Sequence, residues 1–240
     1  MNQPKRKSDI NALLAEIKAR YDAIENLYHD SLAKKEIDLS LKIKVKNYLE
    51  NARSVLDYCA HDIADVLGIT AKQIYFPIVG KDKDVNSFEG SIGRNLPRLK
   101  SRNQKVFDYL ESIQPYHLDY AWLSDFAITT SDIKHVQLTP QIKTEIKTIN
   151  IEHKGTGMRL SGGASINMGP GTSISLGGAV IPGGQVISPD SSLIFGDPRL
   201  NVKKEIWVDF RFNDSISALP LLKNINDNLS TIVDEVYKLI

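Results

Sequence analysis

Cysteine occurs once in the 240 residues, at Cys59. A single thiol excludes an internal disulfide. The basic start MNQPKRK is followed by no apolar segment of the signal-peptide kind. Together these features lead us to expect a cytoplasmic protein. No run of eighteen apolar residues occurs, so no membrane span is expected. The net charge is only +1, which excludes a global basic field, so any nucleic-acid site must be a local patch. His29 and His153 lack partners at ligand spacing, and no metal is expected. A GxSxG turn is absent, as is a glycine loop ending in Lys-Ser or Lys-Thr. No helix pattern follows the glycines, so no nucleotide or other cofactor is expected.

One further absence is local. Residues 162–184 contain no Lys, Arg, Asp or Glu, although a quarter of the chain is charged. Eleven of the 15 glycines lie between Gly155 and Gly196. Between them sit strand-length pieces such as SINM, TSISL, AVI and SLIF, separated by the turn chemistry of GPG, GG and PGG. This pattern predicts tight hairpins that extend a sheet. Neutral, β-prone edges also invite pairing, so Ile166, Met168, Ile174, Leu176, Val180 and Ile181 are candidates for a surface that binds a protein partner or a second copy.

What is present elsewhere is helical. Ile10, Leu13, Leu14, Ile17, Tyr21, Ile24, Leu27 and Tyr28 predict a helix over about 8–33, with Ser8 as its N-cap. Val45, Tyr48, Leu49, Ala52, Val55, Leu56, Cys59 and Ile63 predict a second over 39–67, stopped by Gly68. Cys59 lies on that apolar stripe and reads as core. Residues 81–90 read as a polar loop. Shorter helices are expected over 103–113 and 119–128.

The period then changes to two. Ile142, Thr144, Ile146 and Thr148 alternate, with a slip at Ile149 and Ile151 that suggests a bulge or a change of face. Ile206, Val208, Phe210 and Phe212 alternate cleanly. A last helix over 217–239 carries Leu222, Ile225, Leu229, Ile232, Val236 and Leu239, with Pro220 in its first turn. The expected fold is α+β: a bundle built on a long N-terminal helix pair and a C-terminal helix, with an antiparallel glycine-rich sheet inserted in the chain. The expected organisation is a helical region over 1–134, a β region over 135–214 and a final helix over 215–240 that packs back on the bundle.

One constellation invites chemistry. Arg53, Asp57 and His61 are spaced four apart and share one stripe of the second helix. His61 suits a general acid or base, Asp57 would orient it, and Arg53 could clamp a phosphate. The alternative is structural, a half-buried Arg53–Asp57 pair holding a neighbouring segment. Eight helical residues place Arg53 and His61 about 12 Å apart along the axis, which works against a shared phosphate. Lys134, His135 and Tyr116 could complete a polar pocket.

The stretch ENARSVLDYCAHD, with QIYFPI, ESIQPYH and DIKHVQLTPQ, resembles an uncharacterised group of bacterial proteins. The matches are Asn51, Arg53, Ser54, Leu56, Asp57 and Tyr58, then Phe76, Pro77 and Ile78, then Gln114, Pro115 and Tyr116, then Lys134 and His135. The resemblance covers roughly residues 40–141 and implies no particular activity. Ile133 and Val136 depart from the Asp and Arg of that group. A weaker resemblance is to HEPN-type helical bundles, whose active form implies a metal-independent ribonuclease built on Arg, four to six residues, then His. Here seven residues separate Arg53 from His61. Two functions are therefore expected to compete. One is a non-enzymatic interaction or accessory protein, self-associating or bound to a protein partner. The other is a HEPN-like ribonuclease or toxin-type RNA-binding protein.

Overall fold

The structure is a computed structural model that describes residues 3–34, 36–37, 39–135, 142–191, 197–212 and 215–240, with backbone only at 132–135, 142 and 207–208. The fold is α+β, with seven α-helices and antiparallel ladders among the described residues. The chain divides into two compact units, one of residues 1–142 with 210–240, the other of residues 143–209.

In the first unit, α1 (Lys7–Lys34) packs on α2 (Leu39–Leu67) and on α7 (Ala218–Leu239). Ile10, Ile17, Tyr21, Ile24 and Tyr28 form its buried stripe. Leu41, Val45, Leu49, Ala52, Leu56, Cys59 and Ile63 do the same for α2, and burial pushes the Cys59 thiol above its ordinary value. Gly68, at φ 61°, ends α2 in the left-handed conformation that glycine adopts without strain. Leu222, Ile225, Leu229, Ile232 and Val236 line the buried face of α7. That helix also touches α5 (Gln104–Ser112) and α6 (Trp122–His135).

Two expectations are corrected here. Ser8 is not the cap of α1, because Ile10 N–H already bonds the Arg6 carbonyl. Arg6 holds the cap position, and its own N–H is received by Asp62 of α2. The polar loop expected over 81–90 gives way to a helix, α3 (Val85–Asn95). Asp84 caps it by accepting from Ser87 N–H at 2.9 Å, and Phe88 and Ile92 bury one face. Polar composition concealed that one-turn spacing. A four-residue helix, α4 (Leu99–Arg102), follows, and a 3-10 turn at Leu118–Tyr120 precedes α6.

Asp62 is fully buried. It accepts hydrogen bonds from Lys5 N–H at 3.2 Å, from Arg6 N–H at 3.1 Å, from the Arg6 guanidinium at 3.1 Å and from the Tyr237 hydroxyl at 2.7 Å. Arg6 also reaches Asp65 at 2.9 Å. Burial opposes the Arg6 charge, but its bonds to Asp65 and Asp62 outweigh this and raise its pKa, while the Arg6 bond lowers that of Asp65. Burial and the bond to Asp62 push the Tyr237 phenol well above its ordinary value.

The second unit is built on a three-stranded sheet ordered β2 (Thr156–Ser161), β1 (Ile142–His153), β7 (Asn201–Arg211). Thr148 and Ile149 are both buried, yet the β1–β2 register runs unbroken from Thr148↔Ser161 to His153↔Thr156. The sequence slip therefore marks a change in the covered face, with no bulge against β2. The expected hairpins form, but they do not extend this sheet. β4 (Ser173–Leu176) pairs with β5 (Ala179–Pro182), while β3 (Ile166–Asn167) pairs with β6 (Val186–Ile187), as two separate ladders. The β4–β5 turn needs glycine at 177, where φ is 54° and a Cβ would lie 2.6 Å from the His153 carbonyl oxygen. Ile206 is exposed, so its strand's alternation does not translate into burial there. The piece at 192–195 lies outside the described residues.

Asp197 and Arg199 hold the same turn. Asp197 accepts from Val180 N–H at 3.0 Å, and Arg199 donates to the Gly178 carbonyl at 2.9 Å. The Arg199 hydrogen bond, with the Val180 and Arg199 amides, holds the Asp197 carboxyl well below the usual carboxylate range.

Two outcomes are expected. Asp62→Ala leaves buried donors without an acceptor and costs about 3–5 kcal/mol, read as a lower urea midpoint. Because its folded pKa is depressed, Asp197 contributes stability above the unfolded carboxylate value of about 4 and loses it as pH falls below. The protection factor of the Val180 amide, taken against its intrinsic exchange rate at each pH, should therefore fall on acidification below about pH 4, and Asp197→Asn should abolish that fall.

Candidate functional site

The stripe on α2 faces an extended segment, residues 74–80. Arg53 Nε lies 3.1 Å from Asp57 Oδ2, and Arg53 Nη2 lies 3.0 Å from Asp57 Oδ1. This is a two-point guanidinium–carboxylate pair, only a quarter and a fifth exposed. Asp57 Oδ1 also accepts from Phe76 N–H at 3.0 Å, and Arg53 Nη2 leans on the Phe76 carbonyl at 3.5 Å. Phe76 is buried. An acid that follows its base by four residues gains little from helix electrostatics, but here the pair acts across elements, satisfying the backbone of a segment with no ladder of its own.

The far side of the segment is held by Gln114, which is fully buried. Its Nε2 donates to the Pro77 carbonyl at 3.0 Å and to the Leu110 carbonyl at 2.7 Å, while its Oε1 accepts from Val79 N–H at 3.2 Å. Both amide donors and the acceptor are used. Arg53, Asp57, Phe76, Pro77 and Gln114, scattered in sequence, thus meet as one clamp.

His61 stands apart from this clamp. It is half-buried and lines a shallow hollow of about 280 Å³ with Ala71, Lys72, Gln73, Ile74 and Tyr75. Among the described residues its ring makes no hydrogen bond. Tyr58, one turn back on α2, and Tyr75 at the hollow are both exposed. Arg53 and Asp57 are therefore joined to each other and to Phe76, and His61 is not joined to them.

The other sequence candidates are placed as follows. Tyr116 donates to Glu111 at 2.7 Å, and the His117 ring sits 3.2 Å from the same carboxylate. Burial, with the Glu111 bond, raises the Tyr116 phenol. The side chains of Lys134 and His135, at the end of α6, lie outside the described residues, as does Val136. Met168, Leu176 and Ile181, expected on a partner surface, are buried in the core of the second unit beside Ile149, Ile151 and Ile187. Ile166 and Ile174 pack partly against that core. Val180 is the one exposed member of the six. Met168, Leu176 and Ile181 are therefore covered within the unit itself. Among the described residues no group of three His, Cys, Asp or Glu is placed to hold a metal ion, and no helix is long and apolar enough to cross a membrane.

Two residues escaped sequence reading. Gln114 was visible only as part of a Gln-Pro-Tyr match, without a role. Asp62 carried a readable signal, since it falls on the apolar stripe of α2 between Cys59 and Val66, where an unpaired carboxylate would be costly. Compared with protein-family models, with curated proteins and with solved structures, the chain matches none.

Asp57→Ala should free the Phe76 amide. The expected result is faster hydrogen exchange at Phe76, with a stability loss of about 1.5–3 kcal/mol, and little change at amides of the second unit.

Proposed function

We propose that this chain is a non-enzymatic interaction or accessory protein of the bacterial cytoplasm, docking a protein partner or a second copy of itself. The observation that carries this reading is the use of Arg53 and Asp57 to hold the backbone of Phe76. A guanidinium paired at two points to a carboxylate is not open to clamp a phosphate without breaking that pair. The docking face we favour is the rim of the His61 hollow. It presents Tyr75 as an exposed aromatic beside exposed Lys72, and Tyr58, one turn back from His61 on α2, is exposed as well. Tyrosine at a rigid position is the residue type that interfaces favour, since its ring offers apolar area and its hydroxyl a hydrogen bond.

The rival reading, a HEPN-like metal-independent ribonuclease, is favoured by one observation, the open His61 ring in that hollow. RNA cleavage in EDTA decides between the two, with wild type measured beside folded Arg53→Lys and His61→Ala variants. The expected result is no cleavage above buffer by any of the three. Cleavage by wild type that disappears in both variants would replace the interaction reading with the ribonuclease. Light scattering at micromolar concentration then separates the occupants: a dimer mass that falls to monomer on Tyr75→Glu places a second copy on this face.

A further inference from the structure

The chain contains nine arginines. Arg6, Arg20, Arg53 and Arg199 are paired with carboxylates, and Arg159 and Arg211 also have partners. Arg94, Arg98 and Arg102 differ. They are exposed, four residues apart, and among the described residues none has a carboxylate partner. Lys100, in the same stretch, is paired to Glu89 at 3.1 Å, so the neighbourhood neutralises its lysine and leaves its arginines unneutralised.

Two of the three converge on one cavity. Arg98 and Arg102 line a hollow of about 240 Å³ together with Gly68, Ile69, Thr70 and Pro97. Arg102 Nη1 donates to the Leu67 carbonyl at 3.3 Å. That bond anchors one corner of the guanidinium and leaves its other N–H groups to serve the hollow. The Thr70 hydroxyl has no hydrogen bond among the described residues. Arg98 sits in the left-handed region, at φ 64° and ψ 15°. Glycine would adopt that backbone without strain, whereas arginine there keeps a guanidinium at the mouth of the hollow.

We propose that this hollow is an oxyanion site that takes the phosphoryl or diphosphate group of a small phosphorylated ligand. Two forked guanidinium groups and a hydroxyl supply the planar, multi-point donors that such oxygens accept. The volume of about 240 Å³ lies below the roughly 300–1,000 Å³ of pockets for drug-sized ligands and suits a compact diphosphate better than an extended strand. The site is independent of the reading of the α2 stripe, so it stands or falls apart from the cleavage experiment.

The test uses pyrophosphate as probe, with sulfate and a single-stranded RNA as comparison arms, followed by the Arg Nε–H and Thr70 amide signals in NMR. Wild type should give saturable shifts at these groups, with pyrophosphate at least tenfold tighter than sulfate. Arg98→Gly should weaken pyrophosphate at least tenfold while its melting temperature stays level or rises, because the strained backbone is relieved as the guanidinium is lost. Arg102→Lys, which retains charge but not the fork, should also weaken it. Unchanged spectra at millimolar pyrophosphate, equal binding by Arg98→Gly, equal affinity for sulfate, or shifts produced by RNA alone would each overturn the proposal.

Discussion

The first unit is organised around a charge that water does not reach. An ionised carboxylate in an apolar core is expensive, and it persists only where donors surround it. Asp62 meets that demand with donors from both ends of the helical layer, the backbone and side chain of Arg6 before α1 and the hydroxyl of Tyr237 near the end of α7. The consequence is geometric. Apolar stripes can slide past one another by a turn with modest loss, whereas a carboxylate with fixed donors has one register. The core of Ile10, Leu56, Cys59, Ile63 and Val236 provides bulk stabilisation, and Asp62 fixes which turn of each helix faces which.

The opposite side of α2 repeats the logic more cheaply. Residues 74–80 form neither helix nor strand, so their N–H and C=O groups need side-chain partners. Asp57 provides them from α2 and Gln114 from the turn that follows α5. Arg53 and Asp57, two members of the polar stripe, thus hold the backbone at Phe76. The same residue types serve catalysis or architecture, and what separates the two is where their hydrogen bonds go. Arg53 and Asp57 spend theirs on each other and on Phe76. The His61 ring, one turn further along, makes no hydrogen bond among the described residues and lines a hollow instead.

Helices with strong periodicity were legible in the sequence. α1, α2 and α7 follow from their apolar spacing, and the end of α2 follows from Gly68, because each signal is local. α3 was not legible as read, since Phe88 and Ile92 are a sparse stripe in a polar stretch and the deciding contact is a cap by Asp84. The Arg53–Asp57 pair could be paired on paper, but its acceptor partner, the Phe76 amide, is a long-range contact that no spacing announces. The β region shows the same limit. Its strands and turns could be read from glycine punctuation, while the choice between one extended sheet and separate ladders depends on which apolar faces meet.

That choice also explains the neutral stretch at 162–184. Edge strands usually carry charge because a long unpaired edge recruits other chains. Here the strands are two to four residues long, too short to offer a continuous template, and tight glycine turns interrupt them. Their apolar residues are already spent on a common core with Ile149 and Ile151. The longer strand β7, which does form a sheet edge, carries Lys203, Lys204 and Glu205. Charge therefore stands on both edges of the three-stranded sheet, with Arg159 on β2, and brevity guards the short ladders. The buried side chains of this neutral, glycine-rich segment, Met168, Leu176, Ala179 and Ile181, are covered by the unit's own core.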